Sequence, residues 1–358
     1  MNQFLSKVSL ALHTKTLVAN IMDSYEGDAE YAFYLFHNDV RISTHWYSKN
    51  STVHFDTEGI PGYYRVLGYL KTMDGRYESG KSNPVFANPV VVTADDFPNA
   101  DPVKMTYEFK GNHWSFPVLY YPNKEKFLYV MLTAAVNRKK MVLPVFNRWT
   151  WAQKGLFPGE ILCIADPTIG QHDELNLGWY IGNQLHDPID ELANFITKFA
   201  DSKEIDNKNI VIWGSSAGGF AALALSAKIE GSIAVAINAQ TDALSYHIPG
   251  QVKLIREVCF GDLPESDIRS RFPLRVDMSK TWEAVQNSRV VLIQNILDEH
   301  HYMDHFLPFW ASLGGSGNTE GWFSAGRHAA WIYRDIGGHA SETEEMAMEI
   351  ICRINKEI

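Results

Sequence analysis

The chain has 358 residues, more than one average domain and fewer than three, and at 46% apolar it can bury a sizeable core. A formal net charge of −10 with no long basic run argues against a nucleic-acid groove. Three widely spaced cysteines (Cys163, Cys259 and Cys352) give neither a disulfide framework nor a CxxC metal site.

The chain opens on MNQFLSKVSLALHTKTLVAN, where VSLAL is too short for the apolar region of a signal peptide and no small-residue cleavage site follows. No later segment reaches the roughly 20 continuous apolar residues of a membrane span. These features predict a soluble, cytoplasmic protein. Over residues 1–95, short apolar and aromatic runs (TLVANIM, AEYAFYLFHN, TVHFDT, GYYRVLGYLKT) are separated by turn residues. In the last run apolar residues alternate with others, the period of a half-buried strand. This rhythm predicts a small accessory β-sandwich. Without Cys–Trp–Cys spacing, the fibronectin-III-like form is expected rather than a true immunoglobulin domain. Residues 88–102, NPVVVTADDFPNADP, read as a strand end followed by a linker.

From residue 100 to 358 strands and helices alternate. KFLYVMLTAAV, EILCIADPT, NIVIWG, SIAVAINAQ, RVVLIQNIL and AAWIYRDI read as strands. PIDELANFITKFA reads as a helix capped by Asp187 before Pro188. AGGFAALALSAKI is a second helix, and the tail SETEEMAMEIICRINKEI a third, with Ser341 and Glu344 at capping-box spacing. The alternation predicts an α/β fold with a mainly parallel sheet covered by helices. Residues 243–282 break the rhythm and are expected to form a cap or lid.

The chemistry centres on Gly214-Ser215-Ser216-Ala217-Gly218, a G-x-S-x-G match between a β-branched strand and a small-residue helix. That context is what a nucleophile elbow requires. Ser216 is the expected nucleophile because only it has glycine at both −2 and +2; Ser215 is the neighbouring alternative. The helix N-terminus and the Ala217 N–H can stabilise an oxyanion. A serine needs a base, and in this pattern the order is Ser, acid, His. His339, on a Gly-rich loop after the last strand, is the expected base. Asp298, after RVVLIQNIL, is the expected acid; Glu299, Asp304 and Asp242 compete. His300, His301 and His305 cluster nearby. No H-E-x-x-H motif is present, so no metal is expected; these histidines are read as contacting substrate or packing behind the site, and His301 is assigned to substrate contact. The second oxyanion donor is sought at Ala134 or Ala135, although the HGGG form is absent. Asn147 and Arg148 can border the pocket, and Trp149 shares their loop. Asp166 and Thr168 end a strand at the rim where open α/β sheets place ligands. Trp179 and Tyr180 can stack on a sugar or acyl group.

At these residues the chain resembles the α/β-hydrolase superfamily over roughly its last 250 residues. More narrowly, GSSAGG, INAQTD and QNILDEHHY, together with an N-terminal sandwich, resemble bacterial surface-polysaccharide proteins with this fold, among them cytoplasmic capsule O-acetyltransferases. The resemblance implies acetyl removal from, or acetyl transfer to, a polysaccharide or related glycan. It implies no bound cofactor, with acetyl-coenzyme A as co-substrate if the reaction is a transfer, and it allows a homo-oligomer. No coenzyme A site is identified in the sequence. A second class of reading is a non-catalytic hydrolase-fold protein that binds glycan or protein. A third, a peptidase, rests on the superfamily alone.

Overall fold

The computed structural model describes residues 4–96 and 105–356. The chain divides into two compact units: Met1–Val90 with Met105–Tyr107, and Val91–Lys104 with Glu108–Ile358. Much of the expected linker over 88–102 falls outside the described residues. Its first part contains a short strand, Val90–Val92.

The first unit carries β1 (Leu5–His13), β2 (Thr16–Asp23), β3 (Ala29–His37), β4 (Val40–Ser48), β5 (Thr52–Asp56), β6 (Gly62–Thr72), β7 (Tyr77–Lys81) and β8 (Val85–Ala87). They form two sheets, β1-β2-β5 and β4-β3-β6-β7, with β8 paired to β6. In β6 every second residue from Tyr64 to Thr72 is buried, so a period of two sets one face against the core. Leu17, Phe33, Leu35, Val53, Val66 and Leu70, drawn from both sheets, share one apolar cluster.

The ten-stranded sheet adds β9 (Val90–Val92), β10 (Met105–Lys110), β11 (Ser115–Tyr121), β12 (Leu128–Leu132), β13 (Glu160–Ile164), β14 (Ile210–Ser215), β15 (Ile233–Ile237), β16 (Arg289–Asn295), β17 (Gly321–Ala325) and β18 (His328–Tyr333). Its order is β17-β18-β16-β15-β14-β12-β13-β11-β10-β9. The pairs from β13 through β12, β14, β15 and β16 to β18 are parallel. β11 and β17 join antiparallel, so the sheet is mixed. Strands β12 to β15 are buried along their whole length, which is why they read as unbroken apolar runs.

The helices are α1 (Trp149–Gln153), α2 (Pro188–Ser202), α3 (Ala217–Ser226), α4 (Pro249–Phe260), α5 (Glu265–Arg271), α6 (Pro273–Val276), α7 (Met278–Trp282), α8 (Leu307–Ser312) and α9 (Glu344–Lys356). Asp187 caps α2 as expected, its side chain accepting from the Ile189 N–H. The capping of α9 differs from expectation. Thr343 Oγ1, not Ser341, accepts from the first-turn Met346 N–H. The cause is Glu342, whose carboxylate is drawn into the core by Arg148 and Trp213, so the helix starts only after it. The segment expected as a cap holds α4 to α7. Its last part belongs to the packed layer: Trp282 is buried and its Nε1 donates to Leu223 O of α3.

Candidate active site

Ser216 stands between β14 and α3 with φ 53° and ψ −123°, a backbone region that L-residues rarely adopt. The two flanking glycines make this turn possible. A Cβ on Gly214 would collide with the Gly218 carbonyl, and one on Gly218 would meet Leu132 O at 2.8 Å. The turn therefore needs both positions bare. The Ser216 N–H is tied to Ile237 O of β15 at 2.9 Å. Ala217, at the first position of α3, has a backbone N–H that no acceptor among the described residues satisfies.

His339 lies on the loop between β18 and α9. Its Nε2 is 3.1 Å from Ser216 Oγ and its Nδ1 is 2.6 Å from Asp298 Oδ2. Two buried asparagines at strand ends hold this loop. Asn238 Nδ2 donates to Ala340 O at 2.9 Å, and Asn295 Nδ2 donates to Asp335 O and Gly338 O at 2.7 and 2.8 Å. The loop is also anchored through Glu342, which pairs with Arg148 through two hydrogen bonds of 2.5 and 2.6 Å. Burial would raise the Glu342 carboxyl, but the Arg148 charge and hydrogen bonds from Arg148 and Trp213 hold it below its usual range.

Asp298 follows β16 and is buried. Its second oxygen, Oδ1, is 2.9 Å from His301 Nδ1, so two imidazoles share one carboxylate. Burial alone would raise Asp298; the hydrogen bonds from His301 and His339 outweigh it and hold the carboxyl well below the usual range. The rings of His301 and His339 stack at 4.0 Å with 16° between planes. Gln240, just past β15, completes the surroundings of the serine: its Nε2 is 3.0 Å from Ser216 Oγ and 2.6 Å from His301 Nε2. Asp298, His301 and His339 each offer an atom within 4.8 Å of one another, a spacing that metals also use. Both Nδ1 atoms and both carboxylate oxygens are already engaged in hydrogen bonds there, so an ion would have to replace these bonds. A hydroxyl facing an imidazole whose far nitrogen meets a buried carboxylate is an arrangement suited to proton transfer from serine.

Several other expected residues lie elsewhere or act differently. His301 does not line an open pocket; it is 1% exposed and bonded to Asp298 and Gln240. Trp179 and Tyr180 have no exposed face to stack on a ligand. The Tyr180 hydroxyl donates to Ile164 O and accepts from the Thr133 N–H. Arg148 is buried in its ion pair with Glu342 rather than turned to a pocket, and Asn147 beside it is half-buried. Asp166 and Thr168 also turn inward. Asp166 accepts from the Thr168 and Tyr180 N–H groups, and burial pushes its carboxyl up to about 6. Ala134 is half-buried and Ala135 exposed, just beyond β12, whose last carbonyl lies against Gly218 at the start of α3. Of the competing acids, Glu299 is exposed, Asp304 pairs with His300, and Asp242 pairs with Arg269. Ser215 is buried as the last residue of β14. Gln240, Asn238 and Asn295 were missed by sequence reasoning, although Asn238 and Asn295 stand directly at strand ends; Gln240 lies three residues past β15.

No protein-family model and no curated protein sequence matches the chain. Solved structures do. A capsule O-acetyltransferase of Neisseria meningitidis serogroup A superposes with TM-score 0.54 at 14% identity, over 73% of this chain and 99% of that one. The Gap123 glycosylation-associated complex from Streptococcus agalactiae gives TM-score 0.51 at 13% identity, over 99% of this chain and 71% of that one. Porphyromonas gingivalis dipeptidyl peptidase 4 gives 0.50 at 11% identity, over 100% of this chain and 57% of that one. At these identities the likeness is one of fold, and that fold is the α/β-hydrolase.

Proposed function

We propose that the protein is a serine-dependent acyl-ester enzyme in which Ser216 is the nucleophile, His339 the base and Asp298 the acid. The observation that carries this reading is the continuous path from Ser216 Oγ to His339 (3.1 Å) and on to Asp298 (2.6 Å), with the serine on a strained elbow. In the reaction Ser216 Oγ bonds to the acyl carbonyl carbon while its proton passes to His339 Nε2. Asp298 holds the imidazolium. The carbonyl oxygen takes the negative charge and is met by the Ala217 N–H, with Ala134 or Ala135 as the second donor. His339 then gives the proton to the leaving oxygen or sulfur, and an acyl-serine remains. Water, or a sugar hydroxyl, then bonds to the acyl carbon and loses its proton to His339, which returns that proton to Ser216 Oγ as the acyl–serine bond breaks. The substrate we infer is an acetylated or acetyl-accepting bacterial polysaccharide, in keeping with the fold shared with a capsule O-acetyltransferase, and with acetyl-coenzyme A as donor if the reaction is transfer.

We also assign the first unit to the fibronectin-III-like sandwiches, as an accessory domain. The strand order β1-β2-β5 and β4-β3-β6-β7 supports this, as does the buried Tyr64, whose hydroxyl donates to Ile60 O at 2.9 Å near the start of β6.

Turnover of 4-nitrophenyl acetate and labelling by a fluorophosphonate probe test the enzyme. Ser216→Ala is expected to lower turnover by at least about a thousandfold and to abolish labelling. Retained labelling at another residue would overturn the assignment. Acetyl-coenzyme A consumption that requires an added polysaccharide identifies transfer; release of acetate from an acetylated polysaccharide without coenzyme A identifies hydrolysis.

A further inference from the structure

The hydrogen bonds of Ser216, Gln240, His301, Asp298 and His339 close into a ring, and a donor attached to it, Trp179, sets the direction of the bonds that reach the serine. The Trp179 indole nitrogen can only donate, and it donates to Gln240 Oε1 at 3.1 Å. This fixes the amide, leaving Nε2 with two hydrogens facing Ser216 Oγ at 3.0 Å and His301 Nε2 at 2.6 Å. His301 Nε2 must therefore accept. Its ring proton lies on Nδ1 and is donated to Asp298 Oδ1 at 2.9 Å. Ser216 Oγ also accepts from Gln240, so its own hydrogen is left to point at His339 Nε2, 3.1 Å away. The opposite direction, the serine hydroxyl donating to Gln240 Oε1, spans 3.4 Å and shares an acceptor with Trp179. Trp179 and Gln240 have no exposed surface, so bulk water does not compete for the bond that orients the amide.

We propose that Gln240 and His301 are positioning residues that hold the Ser216 hydroxyl in the rotamer that donates to His339, with His301 acting through Gln240 and Asp298. The proposal rests on Ser216 being the nucleophile. A hydroxyl is otherwise a free rotor with three staggered positions. Gln240 removes that freedom, and its N–H stays on Oγ as the serine proton leaves. His301 gives Asp298 a second donor and presents a lone pair that fixes the amide. With that lone pair occupied, His301 stays neutral beside a His339 that must become charged.

Gln240→Met and Gln240→Glu separate donation from bulk, because both keep the length and only the second can accept. Titratable groups facing this position are His301 and His339, then Asp298, His305 and His247. At pH 8 the glutamate introduced by Gln240→Glu is a carboxylate that captures the serine hydrogen. There kcat for 4-nitrophenyl acetate is expected to fall by about tenfold or more with KM little changed. Gln240→Met falls less. As pH is lowered the deficit of Gln240→Glu relative to Gln240→Met shrinks, because a protonated carboxyl regains an O–H donor. His301→Phe keeps a stacking ring but removes both hydrogen bonds, and is expected to lower kcat about as much as Gln240→Met. Values within twofold of wild type for folded Gln240→Glu, or equal and pH-independent deficits for the two Gln240 variants, overturn the proposal. An unchanged kcat in His301→Phe removes His301 from it. Failure of wild-type Ser216 to react with the fluorophosphonate instead overturns the nucleophile assignment beneath it.

Discussion

Asp298 receives an imidazole on each of its oxygens. Asp298→Asn can accept on only one side, and its amide hydrogens face the other ring. It is therefore expected to lower kcat by about a thousandfold or more while leaving KM near its wild-type value. A loss below tenfold, measured with the same acetyl ester, would move the acid role elsewhere. Ser216, His339 and Asp298, which the fold brings within hydrogen-bond distance of one another, are each marked locally in the sequence: a glycine frame, a glycine-rich loop after a strand, and an acid just past a strand. Gln240 carries no such mark. Its role comes from Trp179 and His301, 61 residues away on each side. Trp179 and Tyr180 turn to the core rather than to a ligand, and His301 takes the packing role rather than the substrate contact, for a related reason. Composition names an aromatic ring but not the face it turns to the core.

Among elements, the strand–helix junction at β14 and α3 tolerates least. Gly214→Ala drives a Cβ into the Gly218 carbonyl and is expected to destabilise by about 3 kcal/mol in a urea titration. The loop that carries His339 depends on the pair between Arg148 and Glu342, whose side chains are 5% and 0% exposed. Glu342→Gln leaves Arg148 buried without a counter-charge, at a cost of about 3 to 5 kcal/mol. The double variant Arg148→Met, Glu342→Leu is expected to recover most of that loss, and a denaturant titration of the three proteins checks it. The central strands of the sheet were readable from sequence as unbroken apolar runs. The start of α9 was not, because a partner 194 residues away holds Glu342 out of the helix.

For the whole molecule, acid sensitivity follows from histidines that fold in their neutral form. Burial lowers His305 to about 3 and His328 to about 4, whereas the unfolded chain binds their protons near pH 6.5. Both pKa values are depressed on folding, so this stability is complete above about 6.5 and drains away as pH falls towards 4 and 3. Asp298, also depressed, adds stability that is lost only below about pH 4, beneath the range from pH 7 to pH 5. Asp166, raised to about 6, gains stability as pH falls through this range, but the two histidines together outweigh it, so the free energy of urea unfolding is expected to decline between pH 7 and pH 5. In His305→Gln that slope should flatten by up to about 1.4 kcal/mol per pH step of one; an unchanged slope would refute the account. The backbone of Ser216 raises a different issue for the fold. A residue at φ 53° and ψ −123° is a place where the chain would rather have glycine. Ser216→Gly is expected to be more stable than Ser216→Ala by about 1 kcal/mol in a urea titration, although under the proposed mechanism neither can form the acyl-enzyme. Selection for thermal robustness alone would therefore erode this position, and keeping a serine there sets resistance to unfolding against reactivity.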